Sequence, residues 1–138
     1  MAEDPHTVSL ATAEEIDAYA ETHLLRDPAV AEALSAAAAA SASAGLPDIR
    51  VSQLQAMQLR MFVQAVGARR VLEVGTLGGY SAIAMASALP GEGRVVSLEI
   101  SPHHAETAQN NLKNAGLSGR VEVRVGPAIE RLDAMVKG

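Results

Sequence analysis

The sequence predicts an α/β domain, with a helical N-terminal section followed by a parallel sheet built as β-α-β-α-β-α. Two observations carry that reading. From residue 70 onward, short apolar runs alternate with segments of helical period. The first run, Val71-Leu72-Glu73-Val74, ends in a glycine-rich turn that opens a helix, the pattern of a buried parallel strand. Strands alternating with helices close as a parallel sheet with right-handed crossovers.

Composition supports one ordinary domain and narrows its chemistry. The chain has 138 residues, 49% hydrophobic and 20% charged, which excludes extensive disorder. No apolar run approaches the roughly 20 residues of a membrane helix. Glu3 and Asp4 stand where a secretory signal would carry basic residues. There is no cysteine, so disulfides, zinc–thiolate sites and cysteine nucleophiles are excluded, and a reducing, cytoplasmic compartment is expected. A net charge of −5 argues against a general nucleic-acid binder, which needs clustered Lys and Arg. With no Trp, one Phe and two Tyr, the core must be aliphatic.

The N-terminal section comes first. Residues 1–10 carry no pattern and are expected to fray, leaving 11–138 as a single domain, with helices over 11–69 and the alternating unit over 70–138. Thr12-Ala13-Glu14-Glu15 has the form of a capping box before a helix from about Ala13 to Leu25. Asp27-Pro28 starts a second helix, with Asp as N-cap and Pro at the first helical position. Its Ala-rich body favours helix but offers little side-chain area, so it should pack closely or be mobile. Gly45 and Pro47 stop it. Ser52-x-x-Gln55 is a second capping box. Leu54, Met57, Met61 and Ala65 then recur at helical spacing, widened by Leu59, Phe62 and Val63, and predict a well-covered helix ended by Gly67.

In the second section, the strand ending at Val74 leads into a helix from about Gly79 to Leu89. Pro90-Gly91-Glu92-Gly93 is a turn. Arg94 to Ile100 reads as the second strand, and Ser101-Pro102 starts a helix with Ala105, Ala108, Leu112 and Ala115 on one face. Gly116 caps that helix. Arg120 to Val125 is the third strand, and Gly126-Pro127 opens a last helix carrying Ile129, Leu132 and Val136.

The most informative segment is Val71-Leu72-Glu73-Val74-Gly75-Thr76-Leu77-Gly78-Gly79-Tyr80-Ser81. Glycine permits a tight turn and close approach of backbone to a ligand. In doubly wound sheets, ligands bind beyond the carboxyl ends of the strands. Two acids sharpen the pattern. Glu73 interrupts an apolar strand, and a buried carboxylate needs donors or a cationic partner. Glu99 ends the second strand 24 residues after Gly75, near the ~20-residue offset at which an acid meets ribose hydroxyls. Taken alone, Glu99 reads as an exposed charge at a strand end. The dinucleotide fingerprint G-x-G-x-x-G is absent, because Thr76 and Leu77 follow Gly75. An acid before the loop repels a pyrophosphate and suits a ligand with a cationic amine, such as S-adenosylmethionine.

The segment resembles motif I of class I S-adenosylmethionine-dependent methyltransferases, and more narrowly the caffeoyl-CoA and catechol O-methyltransferase-like group. The likeness continues in Arg94-Val95-Val96-Ser97-Leu98-Glu99, in Ala115-Gly116-Leu117, in Val123-Arg124-Val125-Gly126-Pro127-Ala128, and upstream in Leu46-Pro47-Asp48-Ile49-Arg50-Val51-Ser52. It covers about residues 13–138. The resemblance implies a Rossmann-like methyltransferase fold, here truncated after the third parallel strand, and transfer of a methyl group to a hydroxyl of a small, catechol-like acceptor. It assigns Glu73 to the methionine amine, Gly75 and Thr76 to the methionine moiety through backbone, and Ser81 to its carboxylate. It assigns Glu99 to both ribose hydroxyls, Gly126 and Ala128 to the flanks of the adenine, and Val51 to closure over the cofactor. Val51 also reads as a hydrophobic staple before the Ser52 cap, and Gly126-Pro127-Ala128 as an ordinary helix entry.

The resemblance further implies a divalent metal, Mg, in the complete enzyme, whose ligands have no counterpart in this chain. A cofactor half without a catalytic half is therefore expected, with a homodimer or a C-terminal half as its partner; a non-catalytic S-adenosylmethionine-binding fragment or interaction subunit is the alternative. The first strand, central in the family's sheet, would here become an open edge. His103-His104 is the one histidine pair, and adjacent helical residues make a poor chelate, so both read as surface residues, as do His6 and His23. Tyr80 reads equally as core or cofactor contact. Asp48 reads as a solvated loop acid.

Overall fold

The computed structural model describes residues 15–16, 18–19, 22–23 and 27–137. The N-terminal ten residues lie outside them, as does Thr12 of the first capping box; residues 15–16, 18–19 and 22–23 are helical, within the helix expected over about 13–25. Helix α1 spans Pro28–Ser43. Asp27 caps it by accepting from the Val30 amide at 3.3 Å, and Gly45 closes it at φ +74°. Helix α2 spans Gln53–Ala65, with both halves of the Ser52/Gln55 capping box formed. The alternating unit follows as β1 (Arg70–Val74), α3 (Tyr80–Ala88), β2 (Arg94–Glu99), α4 (Pro102–Asn114), β3 (Val121–Val125) and α5 (Ala128–Lys137). Element types and order agree with the sequence reading.

The three strands form a parallel sheet in the order β1-β2-β3. Register sets Glu73 opposite Ser97 and Val95 opposite Val121. β1 has one strand neighbour among the described residues, so it is an edge, as expected; Leu72 and Val74 are exposed on it.

The core gathers around α3, whose Ala82, Ile83, Ala84 and Ala86 are all buried. α1 packs on it through Val30, Leu34 and Ala37, so the alanine-rich helix takes the close-packed alternative. Small residues permit that approach: a Cβ on Gly78 would stand 2.0 Å from the Ser41 Oγ, and one on Gly79 would stand 3.3 Å from the Ala108 Cβ. Asn111 bridges the layers by donating to the Gly78 carbonyl at 2.9 Å.

Two apolar faces, of which that of α2 was expected to be well covered, stay partly uncovered among the described residues. In α2 the buried residues are Ala56 and Val63, whereas Met61 and Phe62 are exposed, as is Val66 at the C-cap. The helix is turned so that Arg60 reaches Ser87 at 2.6 Å and Asp27 at 3.3 Å, which points the Met61 side outward. In α5 no residue is buried, and Ile129 and Val136 face solvent. Helical spacing identified an apolar stripe in both, but a stripe is buried only where another layer meets it.

Candidate functional site

The carboxyl ends of the three strands lie side by side. The Gly75 amide donates to the Leu98 carbonyl and the Gly126 amide to the Glu99 carbonyl, each at 2.8 Å. From the end of β1 the chain turns through Gly75 at φ +91°, Leu77 at φ +49° and Gly79 at φ +81°, which is the N-cap of α3. Leu77 is the non-glycine residue in the left-handed region, a conformation costly for an L side chain.

Glu99 holds this turn together. Its Oε2 accepts from the amides of Thr76 at 3.0 Å and Leu77 at 2.8 Å, and its Oε1 accepts from the Ser101 amide at 2.9 Å. It is 6% exposed, so the reading of Glu99 as an exposed strand-end charge is corrected. Three backbone donors make this burial tolerable. His104 stands beside it, with Nδ1 3.6 Å from Oε1.

Glu73 has the donors its burial demands. Ser81 Oγ donates to Oε1 and Ser97 Oγ to Oε2. Burial pushes its carboxyl above the ordinary value of 4.5; the two serine hydroxyls pull it down, and the Glu99 charge adds to the rise. Thr76 Oγ1 lies 2.6 Å from Ser97 Oγ, so the loop and both acids share one hydrogen-bonded network.

A cleft of about 290 Å³ opens over the loop, lined by Val51, Gly75, Thr76, Ser81 and Glu99 among others. Five of the eight predicted residues are thus brought to one cavity. Glu73 joins it through Ser81. Gly126 and Ala128 stand outside the lining; Gly126, at φ +134°, has the Arg131 guanidinium where its Cβ would point. Val51 lines the cleft and also packs on the core cluster that contains Ala56.

Five further residues line the cleft, Ile49, Arg50, Leu77, Tyr80 and His104, and of these only Tyr80 carries a cofactor reading in the sequence. Arg50 sits with its guanidinium 5.0 Å from the centroid of the Tyr80 ring. Tyr80 is 7% exposed and lines the cleft, so it serves both core and cavity. Leu77 and His104 complete the wall. His104 is therefore not a plain surface histidine, whereas His103 is exposed and bonds to the Ala44 carbonyl at 2.9 Å. His23 is exposed and stacks on Tyr19, and Asp48 is solvated. His6 lies outside the described residues. No group of three or more His, Asp or Glu able to hold a metal occurs among the described residues.

The chain is similar to several known proteins. A family profile described as O-methyltransferase matches residues 22–138. The chain is 48% identical over 124 residues to a catechol O-methyltransferase of Mycobacterium tuberculosis, covering 90% of this chain and 55% of that one. An O-methyltransferase from Bacillus cereus, solved in complex with SAH, superposes with a TM-score of 0.80 at 42% identity, over 90% of this chain and 55% of that one. The O-methyltransferase TomG from Streptomyces achromogenes, solved with SAM, does so with a TM-score of 0.79 at 41% identity, over 87% and 52%. The chain spans about half the length of the relatives it matches. With the motif, the fold and the profile in agreement, the chain belongs to the O-methyltransferase family.

Proposed function

We propose that this chain is the S-adenosylmethionine-binding portion of an O-methyltransferase whose acceptor is a small hydroxylated, catechol-like molecule. One observation carries the reading: two carboxylates, Glu73 and Glu99, are set in one hydrogen-bonded network at the carboxyl ends of adjacent parallel strands, with the glycine turn between them. That pair of acceptors suits a ligand with a cationic amine at one end and vicinal hydroxyls at the other.

The residues present fit such a ligand. Glu73 would hold the amine, and Gly75 and Thr76 would line the amino-acid tail with their backbone. Ser81, at the start of α3, lies where free amides favour a carboxylate. Glu99 would accept from the ribose hydroxyls while its backbone donors fix its orientation. Gly126 and Ala128, beyond the third strand, would flank the adenine, and Val51 would close the cleft from above. When bound, S-adenosylmethionine supplies an electrophilic methyl group on a sulfonium. The chain's own contribution is positioning, which can account for several kcal/mol of a transfer barrier.

The residues present do not fit the divalent metal of the catechol group, because no cluster of acids or histidines stands ready to ligate one among the described residues. A non-catalytic S-adenosylmethionine-binding unit is the second reading, favoured by that lack of a ligand cluster. No described helix is long and apolar enough to cross a membrane.

Isothermal titration of S-adenosylhomocysteine into the 138-residue chain tests the proposal, with NAD⁺ in parallel and circular dichroism as the check on folding. Saturable binding that is absent for NAD⁺ and lost in Glu99→Ala is expected. A folded chain that ignores S-adenosylhomocysteine overturns the reading. Methyl transfer to a catechol in the presence of Mg²⁺ separates the enzymatic reading from the binding one.

A further inference from the structure

Ser97 is fully buried in the middle of β2, directly across the register from Glu73. A serine hydroxyl has one proton to donate and lone pairs to accept with. Here it touches Glu73 Oε2 on one side and Thr76 Oγ1, at 2.6 Å, on the other. An ionised carboxylate only accepts. With Glu73 ionised, Ser97 donates to Glu73, and the Thr76 hydroxyl donates to Ser97. The Thr76 amide in turn donates to Glu99. Thr76 is thus tied to both acids, directly to Glu99 and through Ser97 to Glu73.

We propose that Ser97 is a positioning residue of the cleft: it holds Glu73 ionised and aimed beneath the glycine turn, and couples that carboxylate to the loop segment that Glu99 grips. This deepens the reading of the cleft as an S-adenosylmethionine site and rests on it for the identity of the ligand. The opposing influences are on the page. Burial and the neighbouring Glu99 charge push the Glu73 carboxyl up, and the Ser81 and Ser97 hydroxyls pull it down. Glu99 is the charged group acting on Glu73 among the described residues; His104, 3.6 Å from Glu99, and Arg50 line the same cleft. Removing Ser97 leaves burial opposed by Ser81 alone.

The experiment is a pH titration of the Glu73 carboxyl carbon by NMR on the ¹³C-glutamate-labelled 138-residue chain, assigned with Glu73→Gln. In Ser97→Ala the midpoint is expected to rise by about one pH unit, the scale of a lost hydrogen bond to a charged form. Ser97→Thr, which restores the hydroxyl, should bring it back. If Ser97→Ala does not fold, Ser97→Cys, with its weaker donor, carries the same expectation with a smaller rise. In parallel calorimetry on Ser97→Ala, S-adenosylhomocysteine should lose affinity by about twofold near the new midpoint, approaching about tenfold one pH unit below the wild-type midpoint. 5′-Methylthioadenosine, which lacks the amine, should be unaffected. An unmoved midpoint in a folded Ser97→Ala or Ser97→Cys overturns the proposal, as does an equal rise in Ser97→Thr. Failure of the wild-type chain to bind S-adenosylhomocysteine overturns the ligand reading, while the titration still decides the role of Ser97.

Discussion

The carboxyl ends of β1 and β2 and the outer surface of α5 invert the usual placement of side chains. At the first, Ser97 is 0% and Glu99 6% exposed; at the second, Val136 is 87% exposed. The polar residues are inside because each has a hydrogen-bond partner: Thr76, Ser97 and Glu99 satisfy one another and the backbone of the turn. The apolar residues of α5 are outside because no second layer covers them among the described residues. Burial in this molecule is decided by what lies opposite a side chain, and hydropathy is only the first condition.

Substitutions can break or sharpen that contrast. The largest loss is expected at the centre of the core. Ile83→Ala removes a side chain 1% exposed on the helix that α1 and α2 both pack against, and should cost about 3 kcal/mol in denaturant unfolding. Glu99→Ala should cost about 2 kcal/mol by leaving the Thr76, Leu77 and Ser101 amides without their acceptor, and should release protection of those amides from hydrogen exchange. A Glu99→Ala chain as stable as wild type would mean that the turn holds itself. Asp27→Ala, which removes the α1 cap and the Arg60 contact, should cost about 1 kcal/mol. Val136→Ala should stay within about 0.5 kcal/mol, and a larger loss would show that α5 is covered in solution.

pH reaches the fold through Glu73. The folded-state value of Glu73 is raised, so the folded chain holds its proton more tightly than the unfolded chain. That contribution is fully present below the ordinary value of 4.5 and is lost as pH rises through the folded value. Glu73→Gln removes the titrating group. Its melting temperature, relative to wild type, should therefore climb as pH rises from about 4.5, and a constant difference across that range would contradict the raised value.

Much of this was legible in the chain. Caps at Asp27, Ser52 and Ser101 marked helix starts because short polar side chains satisfy the first free amides locally. The turn at Gly75–Gly79 was legible because only backbone free to reach positive φ can make it. Glu73 drew attention as an acid in an apolar run, and its need for donors was correctly read. The donors themselves were not. Ser97 is one small residue in a strand, and nothing local distinguishes it from any buried serine. His104 reads as a surface residue in the sequence and Arg50 as part of a loop, because the value of both lies in what they face.

The sequence by itself determined the α/β class, the order of the elements, the helix caps, the glycine turn and the two acids. These depend on interactions within a few residues or on periodicity along one element, which the chain carries whole. Only the tertiary structure decided that Glu73 meets Ser97, that Thr76 is held from both sides, and that α2 buries Ala56 beside the expected Val63 while Met61, Phe62 and Ala65 stay exposed. Those depend on strand register and helix rotation, where a shift of one residue or one third of a turn exchanges the buried face for the exposed one.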